Sequence, residues 1–232
     1  MNRIDPSAIE KLIEEHLVRL SEEQPEQFET SATADDYLKN LQGIAREING
    51  SFVPEGADWV SYLSQVFPKH ENEKILVGLF GLGHDSAELD DLFGERASGW
   101  ARELKDKVVT DILASIIVWW VLDDHSRIGY LESWAARGEN IWKKRLAAST
   151  TAILNETDPD LTNESLKVLR HLMESEEVEI LNVISRTLKK ASDQSAVERF
   201  VAWWQPRITV KSLDIILNDL DEAIQNNIRD LF

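Results

Sequence analysis

Apolar residues recur at helical spacing along almost the whole chain, and very little interrupts them. Ile9, Leu12, Ile13, His16, Leu17 and Leu20 fall on one face of a helix opened by Asp5-Pro6, an N-cap followed by proline at the first helical position. Tyr37, Leu41, Ile44 and Ile48 repeat the period in a segment that starts near Thr33 and ends at Asn49-Gly50. Only ten Gly and six Pro punctuate 232 residues. No stretch alternates apolar and polar residues between turn signals, so the expected fold is all-α, without strands.

The helical segments are short and closely joined. Asp58 to Phe67 stops at Pro68, Glu71 to Leu82 closes at Gly83, and Ser86 to Phe93 precedes a long run from Ser98 to Leu122 that can be broken. Ser126 to Ala136 and Glu139 to Leu154 form a hairpin around Gly138. Thr162 to Met173 and Glu176 to Lys190 form the next, and Ser195 to Trp204 and Val210 to Phe232 complete the chain. Hairpins recurring every ~35–40 residues predict one domain over 1–232, a right-handed superhelix of about six HEAT-like antiparallel helix pairs whose concave side is the usual binding surface. An irregular helical bundle is the plainer alternative.

Several function classes drop out. The absence of Cys removes disulfide frameworks, thiol nucleophiles and thiolate metal sites, and fits a reducing cytoplasm. His16, His70, His84, His125 and His171 are scattered without metal-ligand spacing, so no metal and no cofactor are expected. Gly78, Gly81 and Gly83 follow no strand and precede no Lys-Ser or Lys-Thr, so they do not form a phosphate loop. No G-x-S-x-G elbow is present. Met1 to Leu20 holds Asp5, Glu10, Glu14 and Glu15 and lacks a signal-peptide core, so a cytoplasmic location is expected. The greasiest run, Ile112 to Leu122, is too short to cross a bilayer, which takes about 20 apolar residues, and reads as a buried helix.

The net charge is −17, which on average repels phosphate backbones. Its distribution is uneven. Residues 1–100 carry 8 basic and 20 acidic side chains, and residues 101–232 carry 17 and 22. Arg137, Lys143, Lys144 and Arg145 stand against Glu139 alone. Arg186, Lys189, Lys190, Arg199, Arg207 and Lys211 stand against Asp193 and Glu198. If both clusters share the concave face, they form a phosphate-binding stripe. The alternative is ordinary favourable placement of cations at helix C-termini.

The most specific stretch is Leu131 to Leu154. Trp134 and Trp142 flank a Gly turn, Asn140-Ile141-Trp142 opens the next helix, and Arg145 follows one turn later. This resembles the DNA alkylation repair glycosylases built from HEAT-like repeats (the AlkD type). Tyr37-Leu38-Lys39-Asn40, the Lys105 to Leu113 segment and Val183 to Lys190 are similar to further stretches of that family. The resemblance implies a cradle for duplex DNA and hydrolysis of the N-glycosidic bond of cationic alkylated purines without base flipping. A cationic leaving group needs no general acid; it needs a carboxylate beside the developing positive charge. Carried over by position, the resemblance makes Asp106 the carboxylate, Arg145 the phosphate-side contact and Tyr37 a supporting contact.

The sequence also departs from that pattern. Arg102 and Arg186 stand where the family has its two sugar-contacting Trp residues, and Lys189 stands where it has an Arg. In a rival register, Trp120 and Asp124 restore the Trp–Asp spacing but leave too short a gap to Arg145. Each candidate has a plainer reading: Asp106 as the partner of Arg102 on one helix, Asp124 as a cap, Trp134 and Trp142 as packing. In the adjacent pairs Trp119-Trp120 and Trp203-Trp204, one member is expected to bury and the other to sit at an edge. The expected DNA contacts are Arg102, Arg145, Lys143, Lys144, Arg186, Lys189, Lys190, Tyr37 and Trp142, on a monomer that binds double-stranded DNA. An inactive scaffold for a protein partner or a nucleic-acid structure is the alternative. No membrane partner is expected.

Overall fold

A computed structural model describes residues 6–23, 34–51, 56–84, 89, 92–136 and 140–229. The Asp5 cap, most of the 21–31 connector, most of the Ser86 to Phe93 segment, and Arg137, Gly138 and Glu139 lie outside the described residues. Among those described there are thirteen α-helices, four 3-10 turns and no strand, and the protein is all-α. The helices are α1 (Pro6–Glu23), α2 (Ala34–Ser51), α3 (Gly56–Val66), α4 (Asn72–His84), α5 (Leu92–Glu103), α6 (Lys107–Asp123), α7 (Ile128–Ala136), α8 (Ile141–Thr157), α9 (Thr162–Leu169), α10 (Val178–Lys190), α11 (Gln194–Trp204), α12 (Val210–Leu217) and α13 (Glu222–Arg229). None of the described helices is long and apolar enough to cross a membrane. The chain divides into two compact units, Met1–Ile112 and Leu113–Phe232.

Two expected helices are each split in two. The run from Ser98 to Leu122 breaks at 104–106, because Leu104 turns into the core and Asp106 starts a new helix. The Val109 amide donates to Asp106 Oδ1 at 3.0 Å, and the Thr110 amide to the Asp106 carbonyl at 3.1 Å. The run from Val210 onward breaks after Leu217. There the Asp219 amide donates to Ser185 Oγ of α10 at 3.2 Å, and Leu220 is buried. In both places a tertiary demand outweighs local helix propensity.

In the first unit α1, α3 and α5 form one layer, and α2 and α4 the other. The layers meet around Trp59, Tyr62 and Leu63 of α3, which press on the backbone of α4. An added methyl at Gly78 would sit 2.7 Å from Leu63 Cδ2, and one at Gly81 would overlap the Trp59 indole. Gly78 and Gly81, two of the glycines that fail as a phosphate loop, therefore serve close helix approach. Trp59 Nε1 donates to Asn49 Oδ1 at 3.2 Å, tying α3 to α2. Trp100 of α5 stacks on Phe67, with ring centroids 5.1 Å apart, and donates to Ser64 Oγ.

In the second unit α7, α9, α11 and α13 form one layer, and α8, α10 and α12 the other. A constant offset orders the second layer. Arg145 pairs with Glu179, Asn155 donates to the Thr187 carbonyl, and Glu156 pairs with Lys190. All three links span 32 to 34 residues. A fixed offset at both ends of two helices means that they run in the same sense, so α9 between them returns antiparallel. The Ser185 to Asp219 link repeats the 34-residue step between α10 and the end of α12. This is the stacked helical-hairpin arrangement of an α-solenoid. Core residues include Leu131, Trp134, Leu146, Ala147, Leu154, Val168, Ile184, Leu188 and Val201.

Candidate functional site

Asp106 is half-buried at the start of α6, in the first unit. Its Oδ1 caps the helix, while Oδ2 accepts no hydrogen bond from a described residue. Because α5 ends at Glu103, Arg102 and Asp106 do not share a helix, and no ion pair forms between them. Arg102 is exposed in the last turn of α5. Beside Asp106, the Lys105 ammonium donates to His70 Nε2 at 3.1 Å, and Glu103 lies 3.8 Å from the same ring nitrogen.

Tyr37, also in the first unit, is half-buried on α2. Burial, and then the neighbouring Glu73 carboxylate of α4, push its phenol well above the usual range, so it stays neutral. The rival carboxylate, Asp124, is exposed in the second unit. It caps the His125–Arg127 turn by accepting the Ser126 amide at 2.9 Å. Hydrogen bonds from Ser126 hold its carboxyl below the ordinary range. Asp123 takes the Arg127 guanidinium at 3.0 Å.

The Leu131 to Leu154 stretch has a local physical basis. Asn140 Oδ1 accepts the Lys143 amide at 3.0 Å, so the Asn that precedes Ile141-Trp142 is the N-cap of α8. Trp134 is buried in the core and Trp142 is half-buried. Lys143 and Lys144 are half-buried in the first turn. Only 3% of the Arg145 side chain is exposed, and its Nη1 donates to Glu179 Oε2 of α10 at 2.7 Å. As placed, Arg145 ties α8 to α10.

The later basic segment is divided between the layers. On α10 the buried residues Ile180, Leu181, Val183, Ile184, Thr187 and Leu188 take one side. Arg186, Lys189 and Lys190 take the exposed side. Lys190 reaches Glu156 at 2.8 Å, and Lys211 is exposed on α12 in the same layer. Arg199 and Arg207 belong instead to the α11 region of the other layer. The cations of the 186–211 segment therefore do not share one face: only those of α10 and α12 lie in the same layer.

The first adjacent Trp pair divides into a buried and an exposed ring as its 100° separation predicts, while in the second neither ring is fully buried. Trp119 is 58% exposed and Trp120 1%; Trp203 is 56% exposed, with Trp204 half-buried. Trp120 packs on Tyr130 and lies under the Arg127 guanidinium at 4.9 Å. The partners missed by sequence reasoning are the acids that hold the candidates: Glu73, Glu156 and Glu179. The last two lie one repeat from their cations, a spacing that becomes a signal only once the repeat length is known.

No curated protein and no solved structure matches the chain. The model of one family, described as DNA alkylation repair enzyme, matches residues 14–211. With its layered helices, and with a match that spans most of its length, the chain belongs to the DNA alkylation repair enzyme family.

Proposed function

We propose that the protein engages duplex DNA through the outer face of the α8–α10–α12 layer and hydrolyses the N-glycosidic bond of cationic alkylpurines, with Asp106 as the carboxylate. One observation carries the DNA reading. Arg186, Lys189 and Lys211 are exposed on that layer and make no ion pair with any described residue, so their charge is available to phosphates. Lys143, Lys144 and Trp142 extend the same layer at the start of α8. The uncommitted oxygen of Asp106 is the group such a reaction needs, since an alkylated purine leaves without protonation and the sugar requires only a stabilising negative charge.

A second reading has a specific observation behind it. Asp106 Oδ1 is bound to the helix backbone, and arginines stand where the family resemblance leads one to expect sugar-contacting Trp residues. Both fit a member that binds nucleic acid or a protein partner without cleaving anything. Release of 7-methylguanine from methylated duplex DNA separates the two readings. The glycosylase reading expects release by the wild type and loss of at least about a hundredfold in Asp106→Asn, the range for removing one electrostatic stabiliser. Equal release by both proteins clears Asp106 of a role. DNA binding without release by either leaves the non-catalytic reading.

A further inference from the structure

The outer face of the α7–α9–α11–α13 layer carries a groove that the repair reading does not use. It runs between α9 and α11, within the second unit, and has a volume of about 450 Å³. Phe200, Trp203 and Trp204 supply its aromatic surface, and Lys167, Arg170 and Arg199 stand around them. The two layers of this unit bury their facing sides against each other. The groove therefore opens on the opposite side from Arg186 and Lys189.

Two features distinguish this groove from ordinary surface. The first is a fixed, exposed indole. The Arg207 guanidinium lies 3.9 Å from the centre of the Trp203 ring and donates to the Trp203 carbonyl, while the Trp204 ring meets Trp203 edge-on at 4.8 Å. A ring held this way loses little conformational freedom when a ligand stacks on it. The second is positive charge to spare. Lys167 has a carboxylate at 3.7 Å on its own helix and Arg170 is paired with Glu132, but Arg199 is exposed and makes no ion pair with any described residue. On a chain of net charge −17, a concentration of guanidinium and ammonium groups around partly exposed aromatic rings selects a ligand that is both flat and anionic.

We propose that this groove seats one unpaired nucleotide of a single-stranded DNA segment, with its base on Trp203 and Phe200 and its phosphate at Arg199 and Lys167. Interleaved aromatic faces and cations are the general means of holding single strands, because every base offers a π-face and every phosphate a charge. The volume sits at the lower end of the small-ligand range of roughly 300–1,000 Å³, which suits one nucleotide better than the long apolar face of a docking helix. This proposal is independent of the duplex reading, because it rests on the other layer.

The test is fluorescence anisotropy of fluorescein-labelled (dT)12 at low salt, with melting temperatures as the folding control. Trp203 and Arg199 are both exposed, so Trp203→Ala and Arg199→Glu are expected to fold. Each should weaken (dT)12 binding by about tenfold or more, the scale of losing one base stack or one phosphate contact. Arg96→Glu, at an exposed position on α5 of the first unit that belongs to neither proposed surface, should leave that binding unchanged. The proposal is overturned if the wild type does not bind (dT)12, or if Trp203→Ala and Arg199→Glu bind as the wild type does. Loss on Arg186→Glu instead would move the strand to the other layer. Thymidine monophosphate competing as well as (dT)12 would make the occupant a free nucleotide. Binding of an acidic, leucine-rich peptide in place of (dT)12 would make the groove a protein-docking site.

Discussion

A carboxylate that caps a helix has one oxygen committed to the backbone, and at Asp106 that oxygen is Oδ1. Substitutions can separate this structural duty from the proposed chemical one. Asp106→Ala loses the cap and should cost about 1 kcal/mol, a fall in melting temperature of roughly 2–4 °C for a chain of this size. Asp106→Asn keeps an accepting oxygen and should melt within about 1 °C of the wild type. Equal melting of all three proteins would show that the cap contributes nothing. Glycines give a second residue-scale prediction. Gly81→Ala forces a methyl into the buried Trp59 ring and should destabilise by about 1–3 kcal/mol. Gly43→Ala, on the exposed side of α2 with open space around it, should stabilise by up to about 1 kcal/mol. Chemical denaturation measures both, and a stable Gly81→Ala would contradict the close α3–α4 approach. Asp106 and Arg145 also show what a sequence hides. Asp106 lies in a run that reads as one long helix able to break, and the burial of Leu104 shows where the break falls. Arg145 has the composition of a surface cation, yet Leu146-Ala147-Ala148 after it marks a helix enclosed by neighbours, in which an Arg buries against Glu179.

At the level of elements, two runs expected as single helices each break in two among the thirteen helices of the described residues, while segment 85–91 is mostly outside them. Periodicity located the segments because each buries one apolar stripe. It allowed for the first break without placing it and missed the second, because breaks are set by partners in other helices, Ser185 for the bend after Leu217 being the clear case. Lys69 and Lys74 hold Glu10, joining α1 to the turn after α3 and to α4 at 2.9 and 3.5 Å. The Lys69 hydrogen bond, against the cost of burial, lowers the Glu10 carboxyl below its ordinary 4.5. For Lys74, burial opposes the charge, but Glu14 and Glu71 outweigh it and raise the ammonium. A depressed carboxyl contributes stability that is present above its unfolded value and lost as pH falls through its folded value. Wild type should therefore be more stable than Glu10→Gln at pH 7, and the gap should close below pH of about 4. Melting of both proteins between pH 7 and 3 measures it, and a gap that persists to pH 3 would contradict the pairing.

Over the whole molecule, the sequence made the all-α class and the family legible, since composition and the Trp134 to Arg145 stretch are local properties. Charge placement was less legible. Residues 186 to 211 form one basic run on paper, but consecutive helices of a stacked hairpin fall in alternate layers. Arg186, Lys189 and Lys190 are thereby separated from Arg199 and Arg207. The −17 total also hides Arg186, Lys189 and Lys211, which are exposed on one layer and make no ion pair with any described residue. What that layer meets is most directly answered by the affinity of the protein for a duplex oligonucleotide, measured against salt concentration. Neutralising three or more phosphates predicts a log–log slope of about −3 or steeper, reduced by about 1 for each cation removed in Arg186→Ala and Lys189→Ala. A flat response, or no binding at low salt, would contradict the duplex-binding account.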